Sequence, residues 1–139
     1  MESQIVFYSN NDSKVTINVT YLEETFWLSQ KLIAQLFGVE SNTINYHLKE
    51  IFKTGELIEV STTRKIRVVQ NEGGREINRE IDYYSLDAII AVGYRVNSKQ
   101  ATQFRIWATQ SLKEFILKGF ILNDELLKNG KPFGKGIYW

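Results

Sequence analysis

Residues 27–52 read WLSQKLIAQLFGVESNTINYHLKEIF, and this stretch predicts two short helices that meet at Gly38. Apolar residues repeat at helical spacing on both sides of the glycine. They are Leu32, Ile33, Leu36 and Phe37 before it, and Ile44, Leu48 and Ile51 after it. We therefore expect a helix-turn-helix around which the rest of the chain is organised.

The residues at the ends of the two helices favour the same interpretation. Ser29 precedes the first apolar run and Ser41 precedes the second. At either position a hydroxyl can accept a hydrogen bond from an unpaired backbone N–H in the first turn of a helix. Gly38 lies where the first helix must end in a left-handed residue, a conformation that is costly for any residue with a Cβ.

The spacing within the motif is typical of its DNA-binding form. Counted from Gln30 as position one, Ala34 falls at five, Gly38 at nine and Ile44 at fifteen. A small residue there lets the helices approach, a glycine makes the turn, and a branched apolar residue anchors the second helix. Position eighteen is His47 where an apolar residue is usual, so we expect the second helix to be slightly rotated. An ordinary helical hairpin is the alternative.

The polar residues of the second helix are the candidate DNA contacts. If the apolar residues of this helix face the core, its polar residues face solvent or a groove of DNA. Asn can bond adenine through two hydrogen bonds, Thr offers a hydroxyl and a methyl group, and Lys reaches guanine or phosphate. Without cysteine or a second histidine, His47 is expected to be a hydrogen-bonding helix residue and no metal ligand. The predicted contacts are Ser41, Asn42, Thr43, Asn45, Tyr46 and Lys49.

The composition is that of a folded protein. The chain has 139 residues, of which 43% are hydrophobic and 13% aromatic, enough for one domain with a core or for two very small ones. It contains no cysteine, which excludes disulfides, thiolate zinc sites and a cysteine nucleophile. There is no apolar run of membrane length and no signal segment. We expect a soluble, cytoplasmic protein.

The net charge of +1 gives no general support for nucleic-acid binding, but the charges are unevenly placed. Residues 1–29 carry one Lys and four acids. Residues 61–69 carry three bases and no acid, and residues 85–122 carry five bases and two acids. Basic charge therefore follows the helix pair, so binding would use one positive face of an otherwise balanced molecule.

Extended segments are predicted on both sides of the helix pair. Alternating apolar residues indicate strands at residues 5–8 and 15–19, and a third extended piece at 25–27 leads into the first helix. We expect these to form a small N-terminal sheet that covers the helices. After the second helix, residues 66–68 and 77–83 alternate again around the turn sequence at 72–75, EGGR, which predicts a β-hairpin.

A hairpin directly after a recognition helix is the arrangement of a winged helix. Basic side chains on such a hairpin can hold phosphates without reading sequence, and Arg79 is one of them. The alternative is a solvated hairpin whose edge charges discourage aggregation. The predicted contacts on the hairpin are Arg64, Lys65, Arg67 and Arg75.

No catalytic residue, metal ligand or cofactor site is predicted. Glu76, Glu80 and Asp82 lie an even number of residues apart and could share one strand face, but such a face spreads carboxylates apart, and pairing with neighbouring arginines explains them better. The chain has no phosphate-binding glycine loop, no nucleophile elbow and no His-rich metal spacing. An enzyme is the least favoured class.

The C-terminal part is predicted to be helical. Ser85 opens a helix from Leu86 to about Tyr94, with Leu86, Ile89, Ile90 and Tyr94 inward. A longer helix starts at residues 97–98 and ends at Gly119 as its C-cap, followed by a short helical piece at 120–127 and a loop at 130–136. Its apolar stripe is either core or a subunit contact. The residues predicted to contact a second copy are Phe104, Trp107 and Phe115.

Read whole, the chain resembles the bacterial RhuM family, whose members carry a virulence label. The residues that carry this resemblance over nearly the full length are WLSQ at 27–30, LF at 36–37, IFKTGEL at 51–57, YSLDAIIAVGYRV at 84–96, TQFRIWAT at 102–109 and KGF at 118–120. The segment at 102–120 also looks like the end of the Bro-type N-terminal domain of phage antirepressors and viral DNA-binding proteins.

The resemblance implies a cytoplasmic, prophage- or island-encoded protein with a DNA-binding N-terminal part, and it names no chemistry. Family members usually continue past Lys135 with a charged helical region, so we expect this chain to lack that part or to have diverged there. Any activity of that region is not carried over.

These observations predict an α+β protein with a winged helix-turn-helix at residues 1–84 and a Bro-N-like helical part with a loop-like tail at 85–139. We expect a homodimeric regulator that binds double-stranded DNA, with no membrane association. The alternative is an antirepressor-like module that binds another regulator without contacting DNA. The near-neutral charge and the apolar residues at 133–139, a possible surface for a protein partner, favour that alternative.

Overall fold

The computed structural model describes residues 4–10, 15–96 and 99–128. Over these ranges the protein is mixed α+β, as predicted, with one antiparallel sheet and helices between and after its strands. In chain order the elements are β1 Gln4–Asn10, β2 Val15–Leu22, β3 Thr25–Ser29, α1 Gln30–Phe37, α2 Ser41–Lys53, α3 Glu59–Thr62, β4 Thr63–Glu72, β5 Arg75–Ser85, α4 Leu86–Val96 and α5 Lys99–Lys128.

The five strands form a single sheet in the order β1-β2-β3-β5-β4. The predicted N-terminal strands and the predicted hairpin are confirmed, but they are not separate. Leu28 of β3 pairs with Tyr84 of β5, flanked by the pairs Trp27↔Ser85 and Ser29↔Tyr83. This short ladder joins the hairpin to the N-terminal strands across the inserted helix pair.

One face of the sheet carries the main core. Because successive side chains of a strand point to opposite faces, alternate residues of β1, β2 and β3 are buried together. Tyr8 of β1 meets Phe104 of α5 edge to face, with ring centroids 5.1 Å apart. The helices contribute the branched residues that the sequence predicted to be inward, since Ile44, Leu48 and Ile51 are at most 2% exposed.

A smaller apolar cluster lies on the opposite face of the sheet. Leu22, Trp27 and Tyr83 are buried there. The indole N–H of Trp27 donates to the carbonyl of Leu22 at 2.9 Å, which satisfies the one polar group of the ring. Half-buried apolar side chains pack against this cluster from α1 and the hairpin: Leu32, Ile66, Val68 and Ile81.

The helices differ from the sequence prediction in three ways. Tyr94 was expected to be inward but is 72% exposed, while its neighbours Val92 and Gly93 are buried. Helix α5 continues through Gly119 to Lys128, so the predicted C-cap at that glycine is wrong. Helical hydrogen bonding tolerates an internal glycine at a cost of about 1 kcal/mol. The single turn of α3 was not predicted.

The chain forms two compact units, residues 1–105 and 106–139. Helix α4 belongs to the first unit, where Ala88, Ile89 and Val92 are fully buried. The predicted domain division after residue 84 stays a prediction. Three predicted features lie outside the described residues: the start of the long helix at 97–98, the loop at 130–136 and the apolar end at 133–139. Among those described, no helix is long and apolar enough to cross a membrane.

Candidate nucleic-acid interface

The turn between α1 and α2 has the local structure that the sequence predicted. The Ser29 hydroxyl accepts a hydrogen bond from the backbone N–H of Leu32 at 3.2 Å, which caps α1. Gly38 has a φ of 68° and ends the helix in the left-handed conformation, with its N–H donating to the carbonyl of Ala34. The N–H of Val39 reaches the same carbonyl at 3.1 Å. A glycine is required here because a Cβ would strain this backbone.

The predicted cap of α2 by Ser41 is wrong. The helix begins one residue earlier than expected, because the N–H groups of Thr43 and Ile44 donate to the carbonyl of Glu40. Glu40 is the extended N-cap residue and makes no side-chain cap. Ser41 is already helical, and its hydroxyl and carbonyl instead accept hydrogen bonds from the side-chain amide of Gln30, at 2.9 and 3.0 Å. These bonds tie the first residue of α1 to the first residue of α2.

The outer face of α2 carries a continuous polar stripe opposite the buried one. Four exposed residues follow one another at spacings of four, three and four, which places them on one side of a helix. They are Asn42, Tyr46, Lys49 and Lys53, and we call them the α2 stripe. The other predicted contacts on this helix, Thr43 and Asn45, are half-buried at its margins. Lys53 was missed by the sequence analysis, although its spacing from Lys49 signals it.

His47 is half-buried beside the α2 stripe. Its ring lies edge-on to the ring of Tyr46 at 5.5 Å, and its Nδ1 is buried without a hydrogen-bond partner. Among the described residues, no three His, Asp or Glu side chains come together as a metal site would require. The inward position next to it is filled by Leu48, which is 2% exposed.

The hairpin projects beyond the rest of the sheet as an arm. Only the last three residues of β5 pair with β3, whereas β4 and β5 stay paired out to Glu72↔Arg75. The arm comprises residues 65–82 and extends roughly 25 Å past the end of β3 at the usual rise of a strand. Its tip is a two-residue turn in which Gly73 and Gly74 have φ values of 60° and 81°, the conformation that matches strand twist.

The basic residues predicted on the hairpin divide between its two faces. Lys65 and Arg67 alternate with Arg64, so they lie on opposite sides of β4. Arg64 shares a face with its partner Tyr83, and Arg75 lies on that face too. The hairpin therefore does not present these four side chains as one positive surface. The period of two in a strand separates residues that are adjacent in sequence.

Several of these cations are already paired. Arg64 forms an ion pair with Glu23, and its guanidinium lies 5.6 Å from the centroid of the Trp27 ring. The Lys65 ammonium is 2.8 Å from an oxygen of Asp82, and this hydrogen bond raises the pKa of Lys65. Exposed ion pairs of this kind contribute little to stability.

Two arginines of the arm remain available to bind an anion. Arg67 and Arg75 are exposed and have no ion-pair partner among the described residues. Nearby, Arg79 holds Glu72 through two hydrogen bonds of 2.6 and 2.7 Å. The Glu72 carboxyl is consequently held below its usual pKa, first by this hydrogen bond and then by the charge of Arg79.

A cleft of about 600 Å³ separates the arm from the start of the helix pair. Lys31 and Gln35 of α1 line one side and Gln70 of the arm lines the other, with Ser41 of α2 at the same opening. Lys31 is exposed and was not predicted to take part in binding. The first turn of α2 and the arm therefore line the same cleft.

Comparison with protein-family models identifies the chain. Residues 61–139, more than half of it, match the model of the virulence protein RhuM family. The chain belongs to the RhuM family. No curated protein and no solved structure matches it, and the predicted likeness to Bro-type domains stays a prediction.

The matched region of this RhuM-family protein begins within α3 and continues through the arm, α4 and α5. Helices α1 and α2 precede it, so the α2 stripe lies outside the part on which the family membership rests. The match therefore identifies the family without assigning a role to α2.

The three residues predicted to contact a second copy of this RhuM-family chain are not equivalent. Phe104 is 1% exposed and belongs to the core of the first unit, against Tyr8. Trp107 and Phe115, in the second unit, are half-buried. A dimer contact through α5 stays a prediction. Because Phe104 is buried, Trp107 and Phe115 are the predicted residues that remain for it.

Proposed function

We propose that this RhuM-family protein is a regulator that binds double-stranded DNA as a winged helix-turn-helix. In this proposal α2 enters the major groove and the arm acts as the wing on the sugar–phosphate backbone. The observation that carries the proposal is the α2 stripe, a row of exposed polar and cationic side chains directly opposite the buried Ile44, Leu48 and Ile51.

The chemistry of the stripe suits a groove that is about 12 Å wide and lined with donors and acceptors. The Asn42 amide can bond adenine, and Lys49 can donate to guanine or to a phosphate. Tyr46, which is 61% exposed, offers both an apolar ring and a hydroxyl. Lys53 lies at the end of the helix, where a flexible ammonium suits a phosphate contact that carries no sequence information.

The arm supplies backbone contacts in this proposal. Arg67 and Arg75 are the cations there without an ion-pair partner in the described structure. They lie on opposite faces of the hairpin, and in this proposal each binds phosphate on its own face without first breaking another contact. Because the net charge of the chain is only +1, affinity depends on these local cations. Neutralising each phosphate contact contributes about one unit to the slope of affinity against salt concentration.

The proposal is tested by selecting bound sequences from a random duplex pool and measuring affinity by fluorescence anisotropy at several salt concentrations. We expect a preferred sequence, and we expect Asn42→Ala to reduce affinity for it more than for random duplex. Lys49→Ala should weaken binding to both. The matched control is Lys113→Ala, which removes an exposed helical lysine of α5 and should leave binding unchanged. Equal affinities for Asn42→Ala, Lys49→Ala and the unaltered protein would contradict the proposal.

A second candidate function is an antirepressor-like module that binds another regulator. Ile58, the N-cap of α3, and Val60 within α3 are 68% and 85% exposed, and exposed apolar residues of this kind are common at protein interfaces. The selection experiment separates the two candidates, since a module of this kind enriches no sequence from the pool. Substituting Val60 with Lys then tests the surface in a pull-down against the purified regulator.

A further inference from the structure

Strand β1 is one of the two edge strands of the sheet. In the described structure it pairs with β2 on one side and with no strand on the other. Its seven residues, QIVFYSN, include no charged residue and no proline. Edge strands usually carry such residues because an open row of backbone groups pairs readily with another strand.

The exposed face of β1 is also apolar. Ile5 and Phe7 point away from the core that holds Tyr8, and they are 55% and 68% exposed. The residues across from them on β2, Thr20 and Asn18, belong to the same face. Two large apolar side chains therefore stand side by side on an edge strand that pairs with no further strand among the described residues.

We propose that β1 pairs with β1 of a second copy of this chain, antiparallel and about a two-fold axis at Val6. A two-fold interface requires that if residue i meets residue j, then j also meets i. Antiparallel pairing centred on Val6 meets this condition, because Ile5 faces Phe7 of the second copy and Phe7 faces its Ile5. Such cross-strand pairs between aromatic and branched residues stabilise antiparallel sheets.

The sequence of the strand favours a second copy over an unrelated partner. An uncharged strand meets no like charge when it pairs with itself. Of the registers centred on a residue, only the one centred on Val6 gives both Ile5 and Phe7 an apolar residue directly opposite. Shifting the centre to Phe7 places Ile5 against Ser9, so that Ile5 has no apolar residue directly opposite.

The expected dimer is weak and depends on concentration. A ladder of about five residue pairs is smaller than a standard stable interface, which buries about 800 Å² on each partner. This inference goes beyond the proposed function and does not require it, because the dimer forms without DNA. It also differs from the predicted contact through Trp107 and Phe115.

Sedimentation of the full chain over a range of concentrations, without DNA, gives the first test. We expect the unaltered chain to dimerise and Phe7→Lys to raise the dissociation constant at least tenfold, because it places a lysine at the edge. The matched control is Val69→Lys, which introduces the same charge at a 63% exposed position of β4, the other edge strand. Melting curves verify that both variants are folded. The proposal is overturned if the chain is monomeric at every concentration, or if both variants weaken the dimer equally. Either result leaves β1 to a different partner.

Disulfide trapping tests the register. The chain has no cysteine of its own, so the crosslinks of added cysteines are unambiguous. A mixture of Ile5→Cys and Phe7→Cys proteins should form the mixed disulfide in preference to either symmetric one. Trapping of the symmetric Phe7→Cys product as the main species would overturn the pairing about Val6. If the dimer is trapped while no duplex is bound, the proposed DNA-binding function fails and this inference stands.

Discussion

The side-chain amide of Gln30, the first residue of α1, donates to both the hydroxyl and the carbonyl of Ser41, the first residue of α2, at 2.9 and 3.0 Å. These residues are eleven positions apart and occupy the starts of successive helices. The contact fixes the position from which α2 begins, next to the cleft that faces the arm.

We expect Gln30→Ala to affect DNA binding more than stability. The hydrogen bonds are exposed, so their loss should lower the free energy of unfolding by at most about 1 kcal/mol, as measured by urea denaturation. Affinity for the selected duplex should fall several-fold because the start of α2 is no longer held. Ser61→Ala, which removes an exposed hydroxyl that bonds to Ile58, is the control. An unchanged affinity would show that this contact is not needed to position α2.

At Gly38, the backbone conformation predicts the order of three substitutions. The φ of 68° is left-handed, and a Cβ added to this residue would meet nothing closer than the Gln100 amide at 4.0 Å. The cost of a side chain is therefore strain and not collision, about 1–2 kcal/mol for Ala. Among the three variants we expect Gly38→Asn to be the most stable, Gly38→Ala to be less stable and Gly38→Val to be the least stable, since Asn tolerates this conformation best. Thermal unfolding measures the order, and an Ala variant more stable than Asn would contradict it.

Gly93 is predicted to be sensitive for the opposite reason. A Cβ there would lie 2.8 Å from the Cβ of Ala101 and 3.4 Å from the Phe37 ring. Gly93→Ala should therefore destabilise the protein by about 1–3 kcal/mol through overpacking. Adding Ala101→Gly removes the closest atom and should recover part of the loss. A double mutant no more stable than Gly93→Ala alone would mean that α4 and α5 do not approach closely at this point.

The ion pair between Arg79 and Glu72 predicts a pH dependence in the arm. Its hydrogen bond lowers the pKa of Glu72 in the folded protein. The pair therefore adds stability above the unfolded-state pKa of the carboxyl, and this contribution is lost as the pH falls through the lower, folded-state pKa. In an NMR titration, Arg79→Gln should return the pKa of Glu72 towards its usual range. Lys65→Gln, which breaks the ion pair with Asp82, should leave the pKa of Glu72 unchanged. If Lys65→Gln shifts the pKa of Glu72 as much as Arg79→Gln does, Arg79 is not the specific cause of the lowered pKa.

Local chemistry made much of the first unit predictable. Ser29 caps α1 through a bond that spans three residues, and Gly38 ends it with a conformation that its own lack of a Cβ permits. The EGGR turn joins β4 to β5 for the same kind of reason. Each depends on interactions within a few residues, so the pattern of the sequence contains the information.

The candidate interface was only partly predictable. Helical spacing correctly placed Asn42, Tyr46 and Lys49 on the outer surface of α2. On the hairpin, four basic residues close in sequence were grouped together, whereas strand alternation places them on two faces. The partners of Arg64 were also unpredictable, because Glu23 and Trp27 reach it only through the pairing of β3 with β5.

The sequence by itself determined the helices α1 and α2, the turn at Gly38, the hairpin and the inward residues Ile44, Leu48 and Ile51. Tertiary structure alone decided that Leu28 pairs with Tyr84 to join two sets of strands, that Phe104 is core, and that β1 is an edge. The physical reason is distance along the chain. Capping, turn formation and amphipathic spacing act within a few residues, whereas strand order and the burial of one particular aromatic ring depend on segments tens of residues apart meeting in space.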